Sequence, residues 1–206
     1  MVLHVEQVTA WMYQTNDKIQ SNKDYLSSLD QAIGDGDHGI NMARGFEAVV
    51  STIADTSYST VSEVLQDVAK TLMSNVGGAS GPLFGTAFLK LSMGTKGTEE
   101  VDYSTFVESM DQAVAGLQQR GKAEQGEKTM VDVWSSVAAY LHQQDDFHPK
   151  TLRKIASSSM EETKGMIATK GRASYLKERS KGHLDPGSVS SYYIFTSLAD
   201  SLEGKE

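Results

Sequence analysis

The sequence predicts an all-α fold, and two observations support this prediction. Apolar residues recur at intervals of three or four along most of the chain, which is the spacing of one helix face, whereas the alternating pattern of a half-buried strand is almost absent. Each apolar stripe covers one face only, so every helix needs neighbours on one side and water on the other. We therefore expect a bundle or a closed ring of helices.

The apolar stripes predict the helices in chain order. They are Val5, Val8 and Met12; Leu26, Leu29 and Ile33; Met42, Phe46, Val49 and Ile53; Val61, Leu65, Val68 and Leu72; Phe106, Met110, Val114 and Leu117; Val133, Val137 and Leu141; Leu152 and Ile155; and Phe195, Leu198 and Leu202. A further helix is expected to begin at the small residues around Ser80, because Pro82 suits a first turn.

Composition narrows the classes of protein and of binding site. With 206 residues, 39% of them hydrophobic, the chain is expected to form a single domain over residues 1–206. A formal net charge of −8 argues against binding to nucleic acid or to an anionic membrane. The absence of cysteine excludes disulfides and thiolate metal sites. Because no apolar run reaches the roughly 20 residues of a membrane span and the first residues lack an export pattern, we expect a cytoplasmic protein.

Four glycine-bearing junctions separate the predicted helices, and each leads into a new helix. They cover residues 33–39, 75–86, 120–129 and 171–188. A single such junction is explained by helix capping and turn formation. Four of them could bring several helix N-termini to one end of the bundle, and a carboxylate-bearing junction among them favours a binding site there.

The junction IGDGDHGIN, residues 33–41, fits the dinucleotide-binding pattern G-x-G-x-x-G, but the pattern requires a preceding strand and a helical stripe precedes it here. An EF-hand loop starting at Asp35 fails because Phe46 stands where a bidentate Glu is needed. The P-loop pattern fails at residues 121–128, where Glu127 separates Gly126 from Lys128 and no strand leads in.

Three aspartates remain as candidate metal ligands. Asp30 falls near the end of one predicted helix, and Asp35 and Asp37 lie on the turn that follows, so their carboxylates can converge. Three hard oxygen ligands without a soft one suit Mg²⁺, which completes its shell with water and substrate phosphate. The competing interpretation is a solvated acidic helix end. His38 could assist or could be a turn residue.

Small residues and an arginine support phosphate binding beside this acidic turn. In GGASGP, Gly77 to Gly81 carry almost no side chain, so backbone amides at a helix start can approach an anion, and Ser80 adds a hydroxyl. Arg172 offers a guanidinium to a phosphate, and the turn Asp185-Pro186-Gly187 offers a rigid surface to a flat ring. Residues 171–188 are long enough to form a lid.

Taken together, four segments resemble one known family. LDQAIGDGDHGINMARGF, NVGGASGPLFGT, GEKTMVDVW and GRASYLKERSKGHLDPGS are similar, in this order and along nearly the whole chain, to the nucleotide-binding L subunits of bacterial phosphoenolpyruvate-dependent dihydroxyacetone kinases. The resemblance implies a barrel of about eight antiparallel amphipathic helices, with the nucleotide site capping one end.

The resemblance also implies a set of site residues. Two Mg²⁺ ions are expected on Asp30, Asp35 and Asp37. The expected contacts to ADP or ATP are His38, Gly39, Ile40, Asn41, Ala79, Ser80, Gly121, Met130, Arg172, Asp185, Pro186 and Gly187, with no catalytic general base.

The implied reaction is that of a phosphotransferase subunit. ADP stays bound as a coenzyme, receives the phosphoryl group from a phosphohistidine M subunit of the phosphotransferase relay, and passes it to dihydroxyacetone on a K subunit. A transcriptional regulator and a second copy of the chain are further implied partners. Two alternatives stay open from the residues alone: a domain that exchanges ATP from solution, and a nucleotide-bound module that senses the phosphorylation state.

Overall fold

A computed structural model describes residues 1–98 and 100–203, and within them the chain is almost entirely helical. The helices are α1 (Val5–Ser21), α2 (Lys23–Ile33), α3 (His38–Ala54), α4 (Val61–Asn75), α5 (Ser80–Gly94), α6 (Tyr103–Gly121), α7 (Met130–His142), α8 (Pro149–Glu162) and α9 (Pro186–Leu202). Two 3₁₀ helices, Thr163–Gly165 and Arg172–Ser180, connect α8 to α9. The prediction of an all-α fold is confirmed.

Eight of these helices form a closed ring. From α3 to α9 each helix packs against the next one in the chain, and α1 closes the ring by packing against both α9 and α3. Trp11 on α1 donates its indole N–H to the carbonyl of Ile194 on α9 at 2.7 Å, which joins the first ring helix to the last. The short helix α2 packs against α3 and α9 instead of joining the ring.

Local sequence explains where several helices begin. Thr60 accepts a hydrogen bond from the amide of Glu63, and Glu63 accepts one from the amide of Thr60 at 3.1 Å, which forms a capping box at α4. Thr129 and Asp132 form the same arrangement at α7. Proline occupies the first turn of both α8 and α9, where its missing N–H costs nothing.

The interior of the ring is filled by a column of aromatic rings. Trp11, Phe88, Trp134 and Phe195, from α1, α5, α7 and α9, follow one another with centroid separations of 5.6, 6.3 and 4.8 Å. All four side chains are buried. Each ring removes a large apolar area from water, and tilted and edge-on ring pairs contribute further favourable energy. The interior is therefore a packed core.

One end of the barrel is closed by short contacts between chain segments. Strand β1 (Val2–Leu3) pairs antiparallel with β2 (Val101–Asp102), just before α6. The amino group of Met1 contacts Asp146, in the α7–α8 connection, at 2.6 Å. The opposite end, where α3, α5, α7 and α9 begin, carries the four glycine-bearing junctions. None of the helices in the described ranges is both long and apolar enough to span a membrane.

Candidate functional site

A cleft of about 180 Å³ lies at the barrel end where four helices begin. Residues from the first turns of α3, α5, α7 and α9 face it, together with the end of α2 and part of the second 3₁₀ helix. The lining residues are Asp30, Ile33, Asp35, Asp37, His38, Asn41, Gly77, Gly78, Ala79, Ser80, Leu83, Lys128, Thr129, Met130, Lys170, Gly171, Arg172, Ala173, Asp185, Pro186 and Gly187. All four predicted junctions therefore meet at one place.

The three predicted metal ligands come together at one side of the cleft. Asp30, on α2, and Asp35 and Asp37, on the turn before α3, each place a carboxylate oxygen within 4.8 Å of the other two. Asp30 is buried, and its Oδ2 atom accepts the backbone amides of Asp37 at 3.0 Å and His38 at 3.1 Å. These bonds fix the turn, so Asp35 and Asp37 present their carboxylates on the exposed side.

The donor set of this acidic cluster fits a magnesium ion. It consists of carboxylate oxygens only, and two of the three side chains are exposed, which leaves room for water or phosphate to complete an octahedron. The charge of Asp35 is balanced by the Arg172 guanidinium, whose Nη1 forms an ion pair with Oδ2. Asp35 thus already binds a positively charged group, the guanidinium, and this ion pair holds Arg172 at the cleft.

The His38 ring, at the start of α3, contacts the first turns of α5 and α9. The ring is buried, with Nδ1 lying 3.1 Å from Oγ of Ser80 at the start of α5 and Nε2 lying 2.8 Å from Oγ of Ser190 in the first turns of α9. Burial lowers the pKa of His38 to about 4, against the opposing effect of Asp30 and Asp37. The ring is therefore neutral near pH 7 and positions two hydroxyl groups.

The α4–α5 junction offers exposed backbone amides. Gly78 has φ +65°, and a Cβ at this position would meet no atom within 4 Å, so the backbone is open there. At Gly77 a Cβ would lie 2.7 Å from Oδ1 of Asn41, so the side chain of Asn41 packs directly on the glycine backbone. Ala79 and Ser80 follow at the start of α5, where unpaired amides and the helix dipole favour an anion.

Part of the cleft wall is apolar. Ile33, Leu83, Met130 and Pro186 line it, and a Cβ on Gly187 would lie 3.4 Å from Cβ of Met130, so α7 and α9 approach closely. Such a wall suits the face of a flat ring.

Asp185 precedes Pro186 and caps α9. It accepts the amide of Ser188 at 2.7 Å, and burial raises the pKa of its carboxyl to about 6.

The segment between α8 and α9, residues 164–184, covers one edge of the cleft, and we call it the lid segment. Ala168, Ala173 and Leu176 pack on Ile33 at the end of α2. The amide of Ala168 donates to Oγ of Ser180 at 2.8 Å, which closes the segment on itself. The predicted lid is thus an ordered cover in contact with α2.

Twelve of the fifteen predicted site residues line the cleft. Gly39, Ile40 and Gly121 do not. A Cβ on Gly39 would lie 1.9 Å from the carbonyl oxygen of Lys23, so this glycine allows α3 to pack on α2. Ile40 is 61% exposed, and a Cβ on Gly121 would lie 3.2 Å from Cδ2 of Leu83. Their assignment as nucleotide contacts stays a prediction without support from this geometry.

Several lining residues were not predicted from the sequence. Ile33, Leu83 and Ala173 carry no chemical signal, because apolar residues at helix ends are common. Lys128, Thr129 and Lys170 are polar, but the only motif that Lys128 and Thr129 suggest is a P-loop, whose spacing they do not fit. Thr129 is identifiable in retrospect as an N-cap, three residues before Asp132.

This chain is similar to known proteins in sequence and in fold. Residues 32–200 match the family of the DAK2 domain. The chain is 47% identical over 199 residues to the "PTS-dependent dihydroxyacetone kinase, ADP-binding subunit DhaL" of Lactococcus lactis, covering 97% of this chain and 98% of that protein. It is 40% identical to the "PEP-dependent dihydroxyacetone kinase, ADP-binding subunit DhaL" of Escherichia coli, with both chains covered completely.

A solved structure has the same fold. The dihydroxyacetone kinase of C. freundii, solved in complex with AMP-PNP and Mg²⁺, superposes with a TM-score of 0.76 over 94% of this chain and 33% of that one, at 20% identity.

Proposed function

The chain belongs to the DAK2 domain family, and we propose that it is the ADP-binding subunit of a phosphoenolpyruvate-dependent dihydroxyacetone kinase. The observation that carries the proposal is the arrangement of the cleft. Three carboxylates within 4.8 Å of one another line the same cavity as the start of α5. Full-length coverage of two named relatives supports the assignment to this subunit.

Asp30, Asp35 and Asp37 would hold the metal, as two Mg²⁺ ions. Bound there, magnesium would neutralise phosphate charge that the three carboxylates alone would repel. The amides of Gly78, Ala79 and Ser80 would bind the phosphate oxygens.

The remaining lining residues would orient the nucleotide. Met130, Pro186 and Gly187 would support the base on the apolar wall, and Arg172 would contact phosphate once a metal balances Asp35. Asn41 would keep Gly77 in place, and His38 would position the hydroxyl of Ser80. We assign no general base to this chain.

The reaction we propose uses two partner proteins. The phosphoryl group moves from a phosphohistidine of an M subunit to the terminal phosphate of bound ADP, and from there to dihydroxyacetone on a K subunit. Both partners would approach the same end of the barrel, since the cleft opens there, and all three would work in the cytoplasm. Preorganised amides and cations stabilise the spread charge of a phosphoryl-transfer state without covalent chemistry by the protein.

Identification of the bound nucleotide tests the proposal. The protein is purified without added nucleotide, denatured, and the released small molecules are separated and identified. We expect ADP in about equimolar amount with the protein, as a retained coenzyme requires. Protein that is free of nucleotide and binds ADP only weakly in millimolar Mg²⁺ would contradict the proposal.

A further inference from the structure

Lys128 is a buried lysine that none of the roles assigned above uses. It precedes α7, lines the cleft, and is 1% exposed. Its ammonium donates to the backbone carbonyls of Thr163 at 2.6 Å, Met166 at 3.4 Å and His183. An ammonium group has three protons, so its donor capacity is used by these three carbonyls.

The three carbonyls lie at the two ends of the lid segment or, for Thr163, directly before it. Thr163 and Met166 lie where the chain leaves α8, and His183 lies just before the chain enters α9. A backbone hydrogen bond from Gly182 to Lys164, at 2.8 Å, joins the same two ends. The Lys128 side chain therefore connects the two ends of the lid segment, which is about twenty residues long.

A phosphate-binding role for Lys128 is disfavoured by the same geometry. A lysine that binds phosphate needs free protons directed into the cleft, as in a P-loop, whereas these protons point to carbonyl groups. Burial lowers the pKa of Lys128, while Asp185 and Asp132 oppose this effect and favour the charged form. A charged ammonium at this depth is stable only with such partners.

The backbone of Lys128 is in an unusual conformation, and the residue before it also contacts the lid segment. Lys128 has φ +61°, a left-handed conformation that is strained for a side-chain-bearing residue and that the surrounding contacts must maintain. Thr169, in the lid segment, donates two hydrogen bonds to Glu127, the residue before Lys128. Its hydroxyl donates to the Glu127 carboxylate at 2.9 Å, and its amide donates to the Glu127 carbonyl at 3.4 Å. Two consecutive residues thus hold the lid segment, one from the surface and one from the interior.

We propose that Lys128 is a positioning residue whose ammonium holds the two ends of the lid segment together, keeps Arg172 over the cleft and slows the release of a bound ligand. The effect on ligand release rests on the proposed function, whereas the effect on the lid segment does not. The two can therefore be tested separately.

Backbone hydrogen exchange of the nucleotide-free protein tests the effect on the lid segment. In Lys128→Met, which keeps an unbranched apolar side chain that ends at the Cε position and removes the ammonium, we expect exchange at the amides of Ala168 and Gly182 to rise about tenfold or more, because local opening needs no global unfolding. Lys181→Met removes an exposed charge from the same segment and should leave these rates unchanged. Unchanged rates in Lys128→Met, or an equal rise in α4 and α5, would overturn the proposal.

Chemical rescue separates the ammonium from the loss of side-chain packing. Because the chain contains no cysteine, Lys128→Cys can be alkylated at one site in denaturant and refolded. Alkylation with 2-bromoethylamine restores an ammonium of almost the native length, and alkylation with 1-bromopropane gives an uncharged chain of similar size. We expect protection of the lid amides only in the aminoethyl form. Equal protection in both forms would show that packing, and not the charge, orders the segment.

The rate of ADP release tests the second part of the proposal. Labelled ADP is bound with Mg²⁺ and then displaced by excess unlabelled ADP. We expect Lys128→Met to release the labelled ADP about tenfold faster or more than the unsubstituted protein, since the lid segment opens more often. If the unsubstituted protein binds no ADP, the proposed function fails while the exchange experiment still decides the effect on the lid segment. Faster exchange with unchanged release would overturn the effect on ligand retention.

A measurement on the unsubstituted protein covers the case in which the variants do not fold. Buried ammonium protons exchange slowly enough for their ¹⁵N-coupled resonances to be observed, and we expect the Lys128 signal to keep its chemical shift when ADP and Mg²⁺ are added. A large shift would show that the ammonium moves from the carbonyls to phosphate, and would overturn the positioning role.

Discussion

Individual carboxylates around the cleft sit in two different environments. Asp35 and Asp37 are exposed and lie close to each other and to Asp30, whereas Asp185 is partly buried, directly follows the lid segment and caps α9. The first arrangement favours a bound cation, because like charges held close together require neutralisation. The second raises the pKa of the Asp185 carboxyl to about 6. The two environments lead to different predictions.

Substitution Asp35→Ala tests the acidic cluster. It removes one metal ligand and also frees Arg172 from its ion pair, so phosphate charge would face Asp30 and Asp37 with incomplete neutralisation. We expect phosphoryl transfer to be abolished in an assay reconstituted with all three subunits. Asp55→Ala changes an exposed acid at the far end of α3 and serves as the control. Near-normal activity of Asp35→Ala would exclude the metal site.

The raised pKa of Asp185 predicts a pH dependence of stability. A carboxyl whose pKa is raised on folding to about 6 stabilises the protein when protonated, and this contribution is lost as the pH rises through 6. Asp185→Asn keeps the helix cap without the charge. Between about pH 4 and pH 7 the unfolding free energy of the unsubstituted protein should therefore fall by about 1–3 kcal/mol relative to Asp185→Asn.

Urea unfolding of both proteins, nucleotide-free and at several pH values, measures this difference. A difference that stays constant with pH would show that the carboxyl is not perturbed.

Helix packing at the cleft depends on a close approach between α2 and α3. A Cβ on Gly39 would lie 1.9 Å from the carbonyl of Lys23 and 2.6 Å from Oγ of Ser27, and the first contact is with backbone that cannot rotate away. The acidic cluster spans the same junction, since Asp30 lies on α2 and accepts the amide of His38 on α3. A change in helix separation would therefore alter the metal ligands.

Gly39→Ala should destabilise the protein by about 1–3 kcal/mol through overpacking and weaken Mg²⁺-dependent ADP binding at the same time. Gly165→Ala, where a Cβ meets nothing within 4 Å, is the matched control and should leave both quantities nearly unchanged. Denaturant unfolding and calorimetric titration measure the two effects. If Gly39→Ala is as stable as the control, the close approach of the helices is not a constraint.

The closed ring of eight helices explains why the site lies at one end. Because neighbouring ring helices run in opposite directions, every second helix begins at the same end, and α3, α5, α7 and α9 begin around the cleft. Each N-terminus carries roughly half a positive charge. Four of them supply a local positive potential in a chain whose formal net charge is −8, which suits a phosphate ligand in an otherwise acidic molecule.

For the molecule as a whole, the retained-coenzyme reaction predicts a specific dependence on the phosphoryl donor. If ADP remains in the cleft under the lid segment, turnover with the K subunit requires phosphoenolpyruvate and the relay proteins, and added ATP cannot replace them at steady state. The measurement is the phosphorylation of dihydroxyacetone with the relay omitted and ATP supplied. Sustained multiple turnover under these conditions would favour the ATP-exchanging alternative.

Local sequence patterns were sufficient to predict the helical class, the positions of the four junctions and the three aspartates as a group. The helix period, the capping residues and the glycine-rich turns all act within a few residues of one another, so they can be read without knowledge of the fold. The junction at 33–39 is an example: its aspartates are near in sequence and remain near in the structure.

The assembled ring of helices, in contrast, determines which residues face the cleft and what Lys128 contacts. Gly39 and Asn41 are two residues apart in one helix, yet the first packs on α2 and the second lines the cleft, because a helix turns successive side chains to different sides. The carbonyls that Lys128 binds lie 35 to 55 positions away along the chain. No local pattern encodes such a contact, since it exists only after the ring of helices has closed.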